Sequence, residues 1–324
     1  MVGEVVAIGR VNIDVDMQVK NISSSDEHIV SERGRIFFGG SSSNFASQCA
    51  KLGVKSSLIG CVGHDEYGQL ALKELAKAGV DTSCVLTLDD LPTGIFVIIQ
   101  DSQGRRNIIV EPGANRFLDR RLIEEDSVVD AHVIHVAGAF PMMIDRAVEI
   151  TSSNGMILSL DPGRAASDLN YDRFLRYVDL LFVNQFELEN YFGVEVKKAE
   201  LMKFAKTFPG VLVVKRGKNG AIATDGFEYN SSRIFEVDVV DTMGAGDAFA
   251  AGFVSAWMRT DRIDQSLNFA NAVAGLTITQ MGAQNGQPSL EEVEALLREH
   301  GVSVDSILRT FRKPSKPKRR RRST

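Results

Sequence analysis

Residues 237–253 read Val-Asp-Val-Val-Asp-Thr-Met-Gly-Ala-Gly-Asp-Ala-Phe-Ala-Ala-Gly-Phe. Val237, Val239 and Val240 read as the end of a strand, and Asp241-Thr242 as a turn. Gly244-Ala245-Gly246 then open a helix whose small residues, Ala248, Ala250, Ala251 and Gly252, allow close packing. The first N–H groups of a helix have no partner within it and the aligned peptide dipoles point the same way, so such a start holds anions well. Asp247 adds a carboxylate to that first turn. Acidic residues are common there because they complement the dipole. Beside an anion hole the same carboxylate is also a base, a pairing that suits phosphoryl transfer to a hydroxyl.

The rest of the chain supplies settings for such a site. Residues 4–9 form a short apolar strand ending in glycine, and in residues 10–17 alternation places Asn12, Asp14 and Asp16 on one face. That face is either a solvated strand edge or, through Asn12 and Asp14, a grip on a polyol, since an amide and a carboxylate together donate to and accept from hydroxyls. Gly39-Gly40-Ser41-Ser42-Ser43-Asn44 precedes a helix that stops at Gly53. The Gly pair lets a ligand approach the backbone, Ser41 or Ser42 would cap the helix, and Asn44 has no capping role to explain it. A strand over 57–63 leads to a helix over 66–78, capped by Asp65, with Leu70, Leu72, Leu75 and Ala76 as its buried stripe. Residues 94–100 and 105–110 flank Asp101-Ser-Gln-Gly104 as a hairpin. The ribbons around 11–37 and 94–110 therefore form one small sheet apart from the main one.

From residue 130 onward, strands at 132–136, 156–160, 180–183 and 211–215 alternate with helical segments, the pattern of a parallel sheet covered on both faces. Sites in such folds lie at the carboxyl ends of the strands. Polar residues collect there: Gly138-Ala139-Phe140, Asp161-Pro-Gly-Arg164, Asn184-Gln-Phe-Glu187, Lys215-Arg-Gly217 and Asp241 to Asp247. Asn184 and Glu187 face the same way, either as a helix cap with its N3 partner or as ligands of a hydrated Mg²⁺ beside phosphates. Arg164 is either an ordinary surface residue or the partner of an anion on the substrate. Asn271, on a helix over 265–280, is either exposed or in reach of a nucleotide.

Composition excludes several classes. The three cysteines lack metal spacing and are odd in number, which points to a reducing cytoplasm. No apolar run is long enough for a membrane span. Residues 311–324 hold eight basic side chains and no acidic one, so the remainder is more acidic than the net charge of −5 suggests. An acidic body argues against nucleic acid as the main ligand. The tail over 313–324 reads as a disordered basic arm, either a solvated tail with no specific role or a contact to RNA, anionic lipid or the acidic body itself. Neither a Walker-type loop nor a Gly-x-Gly-x-x-Gly turn after the first strand is present, and no serine or cysteine has the setting of a hydrolytic nucleophile.

Gly39-Gly40 through Asn44, with Gly60-Cys-Val-Gly63-His-Asp65 downstream, and Asp241-Thr-Met-Gly-Ala-Gly-Asp247 together resemble the two signatures of the ribokinase-like (pfkB) family of carbohydrate and nucleoside kinases. Asn184-Gln-Phe-Glu187 is similar to its Asn-x-x-Glu element, and the resemblance covers residues 4–300. It implies an α/β fold with a three-layer α/β/α core, a mostly parallel sheet and a small β lid, as a kinase domain over 1–312. It also implies ATP-dependent phosphorylation of a hydroxymethyl group. By the same resemblance Asp247 is the base, the amides of Gly244, Ala245 and Gly246 form the anion hole, and Asn12, Asp14, Gly39, Gly40 and Asn44 hold the sugar. Asn184, Lys215, Gly217, Thr242, Gly244, Gly246 and Asn271 would meet ATP. Glu187 and Asn184 would place Mg²⁺ through water, and Asp241 with the Gly282 loop would hold K⁺. Lids of this family commonly pair two subunits, which implies a homodimer. Ribokinases proper carry Lys where this chain has Ser41, and Glu before a Pro where it has Phe140-Pro141, so the resemblance leaves the acceptor open among sugars, keto-sugar acids and nucleosides. The alternatives are a nucleoside kinase and a non-catalytic regulator that binds sugar or nucleotide; the intact Asp247 speaks against the regulator.

Overall fold

The computed structural model describes residues 3–22, 28–128, 130–163, 169–303 and 311. Arg164 and the tail over 313–324 lie outside the described residues. In chain order the strands are β1 (Val5–Gly9), β2 (Asn12–Val19), β3 (Arg33–Gly39), β4 (Ser56–Gly63), β5 (Val80–Asp81), β6 (Val85–Leu88) and β7 (Gly94–Asp101). There follow β8 (Arg106–Glu111), β9 (Val133–Ala137), β10 (Ile157–Asp161), β11 (Leu180–Asn184), β12 (Val211–Lys215), β13 (Ala221–Thr224) and β14 (Tyr229–Ser232). The helices are α1 (Ser41–Lys51), α2 (Glu66–Lys77), α3 (Pro141–Asn154), α4 (Gln185–Tyr191), α5 (Lys198–Ala205), α6 (Ala245–Thr260), α7 (Ile263–Thr277) and α8 (Leu290–Glu299).

The main sheet runs β14-β13-β12-β11-β10-β9-β1-β4-β5, with β6 beside β4 as a tenth strand. Its strands all run the same way except β13, which reverses between β12 and β14 at one edge. Strand alternation then builds two cores. Val5, Ala7, Phe182, Val211 and Val213 pack under α1, α2, α6 and α7 on one face. Val6, Ile8, Val136, Leu158, Leu181 and Val214 pack under α3, α4 and α5 on the other. Apolar residues at every position of β1 are what a strand buried on both faces requires. His135 belongs to this interior: its ring stacks on Phe45 at 3.7 Å, its Nδ1 meets Ser159 Oγ at 2.8 Å, and burial pushes its pKa down to about 3.

The smaller sheet, β3-β2-β7-β8, joins the two ribbons expected from the sequence. β2 lies antiparallel to β3 and parallel to β7, so Asn12 sits between Gly39 and Gly94. Only Arg10 and Val11 separate β1 from β2, so the chain steps directly from the centre of one sheet to the centre of the other. The small sheet also touches the core at Phe37, whose ring leaves no room for a Cβ on Gly282, a residue at φ 86°.

Two local expectations are corrected. Residues 237–240 form no strand; Val240 and Asp241 each donate a backbone N–H to the Ile278 carbonyl, at 2.8 and 3.2 Å, and Val239 and Val240 are exposed. The chain has already left the sheet after β14 and runs past the end of α7, where no ladder partner is available. On α2 the buried residues are Gly68, Ala71 and Leu75, while Leu70 and Ala76 face solvent. Gly68 sets this rotation, because its Cα lies against the Gly63 carbonyl and the Thr93 hydroxyl, too close for any side chain.

Asp65 ties α2 to the small sheet. Its carboxylate accepts from Gly68 N at 2.8 Å as a helix cap, and also from Thr93 N at 2.7 Å and Thr93 Oγ1 at 2.6 Å, next to the start of β7. Asp65→Ala should cost about 2–3 kcal/mol in urea unfolding, more than the ~1 kcal/mol of an ordinary cap, and Asp65→Asn should recover part of it. A loss no larger than that of a simple cap would mean the Thr93 contacts carry no weight.

Candidate active site

The carboxyl ends of β1, β9, β10, β11 and β12 and the starts of α1 and α6 surround a cavity of about 320 Å³. Its lining includes Arg10, Ser41, Gly138, Asp161, Glu187, Lys215 and Asp247. Between β1 and β9 the order of strand addition reverses, and a crevice opens at such a point because the flanking connections leave to opposite sides.

The sequence makes both helix starts open. Gly40, at φ 98°, precedes α1 with no capping side chain, and the expected Ser caps do other work: Ser42 Oγ donates to the Arg10 carbonyl at 2.7 Å, and Ser41 hydrogen-bonds to Asp247. Gly244, at φ 73°, precedes α6 and likewise offers no cap. A Cβ on Gly244 would lie 2.6 Å from the Ala283 carbonyl oxygen, so only glycine fits. A Cβ on Gly246 would lie 3.5 Å from Lys215 Nζ, an ordinary contact distance, so the first turn of α6 runs beside this cation.

Asp247 is held from several sides. Asn44 Nδ2 donates to its Oδ2 at 2.8 Å, and Ser41 hydrogen-bonds to the same carboxylate. Burial pushes the Asp247 pKa up to about 6 with help from the charge on Asp161, while Asn44, Lys215 and Ser41 pull it back. Asn44 is itself fixed, since its Oδ1 accepts from Gln284 Nε2 at 3.0 Å and its carbonyl from Gln287 Nε2 at 2.7 Å. Lys215 pairs with Asp161. Burial alone would lower its pKa, but the carboxylates of Asp161, Glu187 and Asp247 raise it above the ordinary value, so the ammonium stays charged.

Asn12 and Asp14 are buried, at 3% and 7% exposure, which overturns the solvated-edge alternative. Asn12 Oδ1 accepts from Asn115 Nδ2 at 2.9 Å. The Asp14 carboxylate lies against the Cα of Gly39, where a Cβ would come 2.6 Å from its Cγ. Burial, then repulsion from Asp247, pushes the Asp14 pKa up to about 7.

A sequence profile of pfkB family carbohydrate kinases matches residues 2–290. The chain belongs to the pfkB family. It is 32% identical over 302 residues to the ATP-dependent ribose-1-phosphate kinase of Halopiger xanaduensis, covering 91% of this chain and 98% of that protein. It is 27% identical to the ribokinase of Haemophilus influenzae, covering 88% and 95%. The Arabidopsis thaliana ribokinase structure complexed with ribose and ATP superposes with a TM-score of 0.85 at 26% identity, covering 92% of this chain and 99% of that one.

In this pfkB kinase the remaining candidates are placed as follows. Asn184 and Glu187 form a reciprocal capping box on α4, Asn184 Oδ1 accepting from Glu187 N at 2.9 Å and Glu187 Oε2 from Asn184 N at 2.8 Å, and Glu187 also reaches the cavity. Asp241 accepts from Met243 N at 3.0 Å and Gly282 N at 2.9 Å, joining the turn to the 282 loop. Gly217 opens the turn after β12, and Thr242 is exposed just before α6; both lie outside the cavity lining. Asn271 is buried, with Nδ2 donating to the carbonyls of Ser232 at 3.3 Å and Arg233 at 3.2 Å, so of its two alternatives the exposed one fails. Sequence reasoning misses Asn115, Gln284 and Gln287, isolated amides that carry no spacing signal, and Arg10, the first residue of the stretch over 10–17, whose alternation singles out Asn12, Asp14 and Asp16 instead. Among the described residues no group of three His, Cys, Asp or Glu side chains could hold a metal, and no helix is long and apolar enough to cross a membrane.

Because the folded state raises the Asp14 pKa, it favours the protonated form. That contribution is complete below the ordinary value of 3.8 and is lost as pH rises through about 7. Asp14→Asn, neutral at every pH, should therefore raise stability relative to the parent at about pH 8, on the order of 2 kcal/mol, with the gain shrinking toward about pH 5. Thermal unfolding across that range measures it; a gain independent of pH would contradict the assignment.

Proposed function

We propose that this chain transfers the γ-phosphoryl group of ATP to a hydroxymethyl group of a small sugar. The observation that carries the reading is the half-buried Asp247 carboxylate, with a pKa of about 6, in the first turn of an uncapped helix that runs beside Lys215. Near neutral pH Asp247 is ionised and able to accept the proton of the acceptor hydroxyl. The hydroxyl oxygen then bonds to the γ-phosphorus, the bond from that phosphorus to the bridging oxygen breaks, and ADP leaves. The amides of Gly244, Ala245 and Gly246 face the charge spread over the transferring oxygens, as electrostatic stabilisation of phosphoryl transfer requires. Asn12, Asp14, Gly40 and Asn44 take the sugar hydroxyls. The relatives' names, ribokinase and ribose-1-phosphate kinase, support a pentose-sized acceptor.

The donor set also fits Mg²⁺. One or two carboxylates beside phosphates suit an ion that keeps most of its water, and the cavity offers Glu187 and Asp161 with no dedicated three-carboxylate cage among the described residues. Bound there, the ion would neutralise phosphate charge. The Asp241–Gly282 junction is the matching candidate for K⁺. We assign the small sheet as the lid that excludes water from the transfer. Its exposed Ile36, Ile108, Ile109 and Val110 support pairing of two chains through it. The Phe311 ring, stacked on Phe269 at 5.5 Å, supports a kinase domain that runs to residue 312.

A coupled ADP-release assay over sugars, sugar phosphates, keto-sugar acids and nucleosides tests the reading. Asp247→Asn should lower kcat by about 10³-fold or more while nucleotide binding by calorimetry persists. The parent enzyme's kcat/KM should fall on the acid side with an apparent pKa near 6. Substantial activity of Asp247→Asn would remove Asp247 as the base.

A further inference from the structure

Arg10 is the one cavity-lining cation that the transfer chemistry leaves unused. Its backbone is fixed: the carbonyl accepts from Ser42 Oγ at 2.7 Å, and the Gly40 Cα packs so closely that a Cβ there would lie 2.9 Å from the Arg10 carbonyl carbon. The guanidinium lies over the Phe140 ring at 5.1 Å, and that ring is seated on Gly138, where φ is 117° and a Cβ would come 2.5 Å from it. The side chain is half-buried, and burial draws its pKa down. Among the described residues no carboxylate pairs with it and no acceptor takes its N–H groups. Lys215, by contrast, spends its charge on Asp161. A desolvated, oriented guanidinium without a counter-ion costs stability, and it is the arrangement that a bound anion completes.

Position decides which anion. Arg10 lies two residues from Asn12, and its carbonyl is tied to Ser42 and Gly40 at the α1 start, so it stands beside the residues assigned to the acceptor, whereas Lys215 lies beside Gly246 at the α6 start. The other ionisable lining residues, Asp161, Glu187 and Asp247, are acidic and would repel an anionic acceptor unless a cation met it. We propose, resting on the kinase reading above, that the acceptor is a sugar that already carries a phosphate ester, and that Arg10 is the residue that binds this phosphate. A guanidinium fork offers five donors, more than a carboxylate pair uses, and the three terminal oxygens of a phosphate monoester take them.

The test compares matched acceptors, ribose with ribose 1-phosphate and fructose with fructose 6-phosphate, together with 2-keto-3-deoxygluconate. The phosphate ester of a pair should be preferred in kcat/KM. Arg10→Gln should reduce that preference roughly 10- to 100-fold, chiefly through KM, as expected for a lost charge-assisted hydrogen bond, and Arg10→Lys should restore part of it. Preference for the neutral sugars or the keto-sugar acid overturns the proposal. So does an Arg10→Gln loss that is equal for neutral and phosphorylated acceptors with a raised KM for ATP, because the guanidinium would then face the nucleotide. Calorimetric binding of ribose 1-phosphate to the parent chain, with and without Arg10→Gln, separates the two readings: Arg10-dependent binding while the parent turns over none of the acceptors refutes the kinase and keeps the phosphate site.

Discussion

The hydrogen bond from Asn44 to Asp247 joins the first turns of two helices 203 residues apart in the chain. Everything around the cavity is arranged to make that contact affordable for a carboxylate withdrawn from water. Asn44 gives its amide protons to Asp247 and receives one from Gln284, so both ends of the amide are used and its orientation is determined. Gln287 anchors the Asn44 carbonyl from the same loop. The result is a carboxylate whose pKa rests near 6, where burial and the charge on Asp161 push up and the surrounding donors and Lys215 push down.

The sheet supplies the frame in which that balance is struck. Parallel strands bring their carboxyl ends to one side, and each delivers one polar group there: Asp161 from β10, Lys215 from β12 and Glu187 just beyond β11. The small sheet is fed straight from β1 through Arg10 and Val11, so the residues assigned to the acceptor and those assigned to phosphoryl transfer sit on separate stretches of chain. Asn12 and Asp14 belong to the small sheet, whereas Gly244 to Asp247 belong to the helical layer. Repulsion between Asp14 and Asp247 is the direct electrostatic link between them.

Most of the fold was legible in the sequence because periodicity records burial. The strands of the main sheet read as short Val- and Leu-rich runs, and the hairpin turn at Asp101 to Gly104 appeared where composition placed it. The misreadings share a cause. The β-branched residues at 237–240 imitate a strand where no neighbouring strand exists, and the stripe on α2 was displaced by the contact of Gly68 with Gly63. At the site, Asp247, Asn44 and Lys215 stood out because glycine pairs or strand ends announced them. Asn115, Gln284 and Gln287 did not, since a lone amide in a turn has the same local pattern whether it braces a partner over a hundred residues away or faces water.

Phe37, on the small sheet, rests on the bare backbone of Gly282, which Asp241 ties to the turn before α6. The absence of a side chain at that one position sets how near the edge of the small sheet can come to the loop after α7. A methyl group there would work as a doorstop, and the gap it left would open onto the turn that leads into the Asp247 helix.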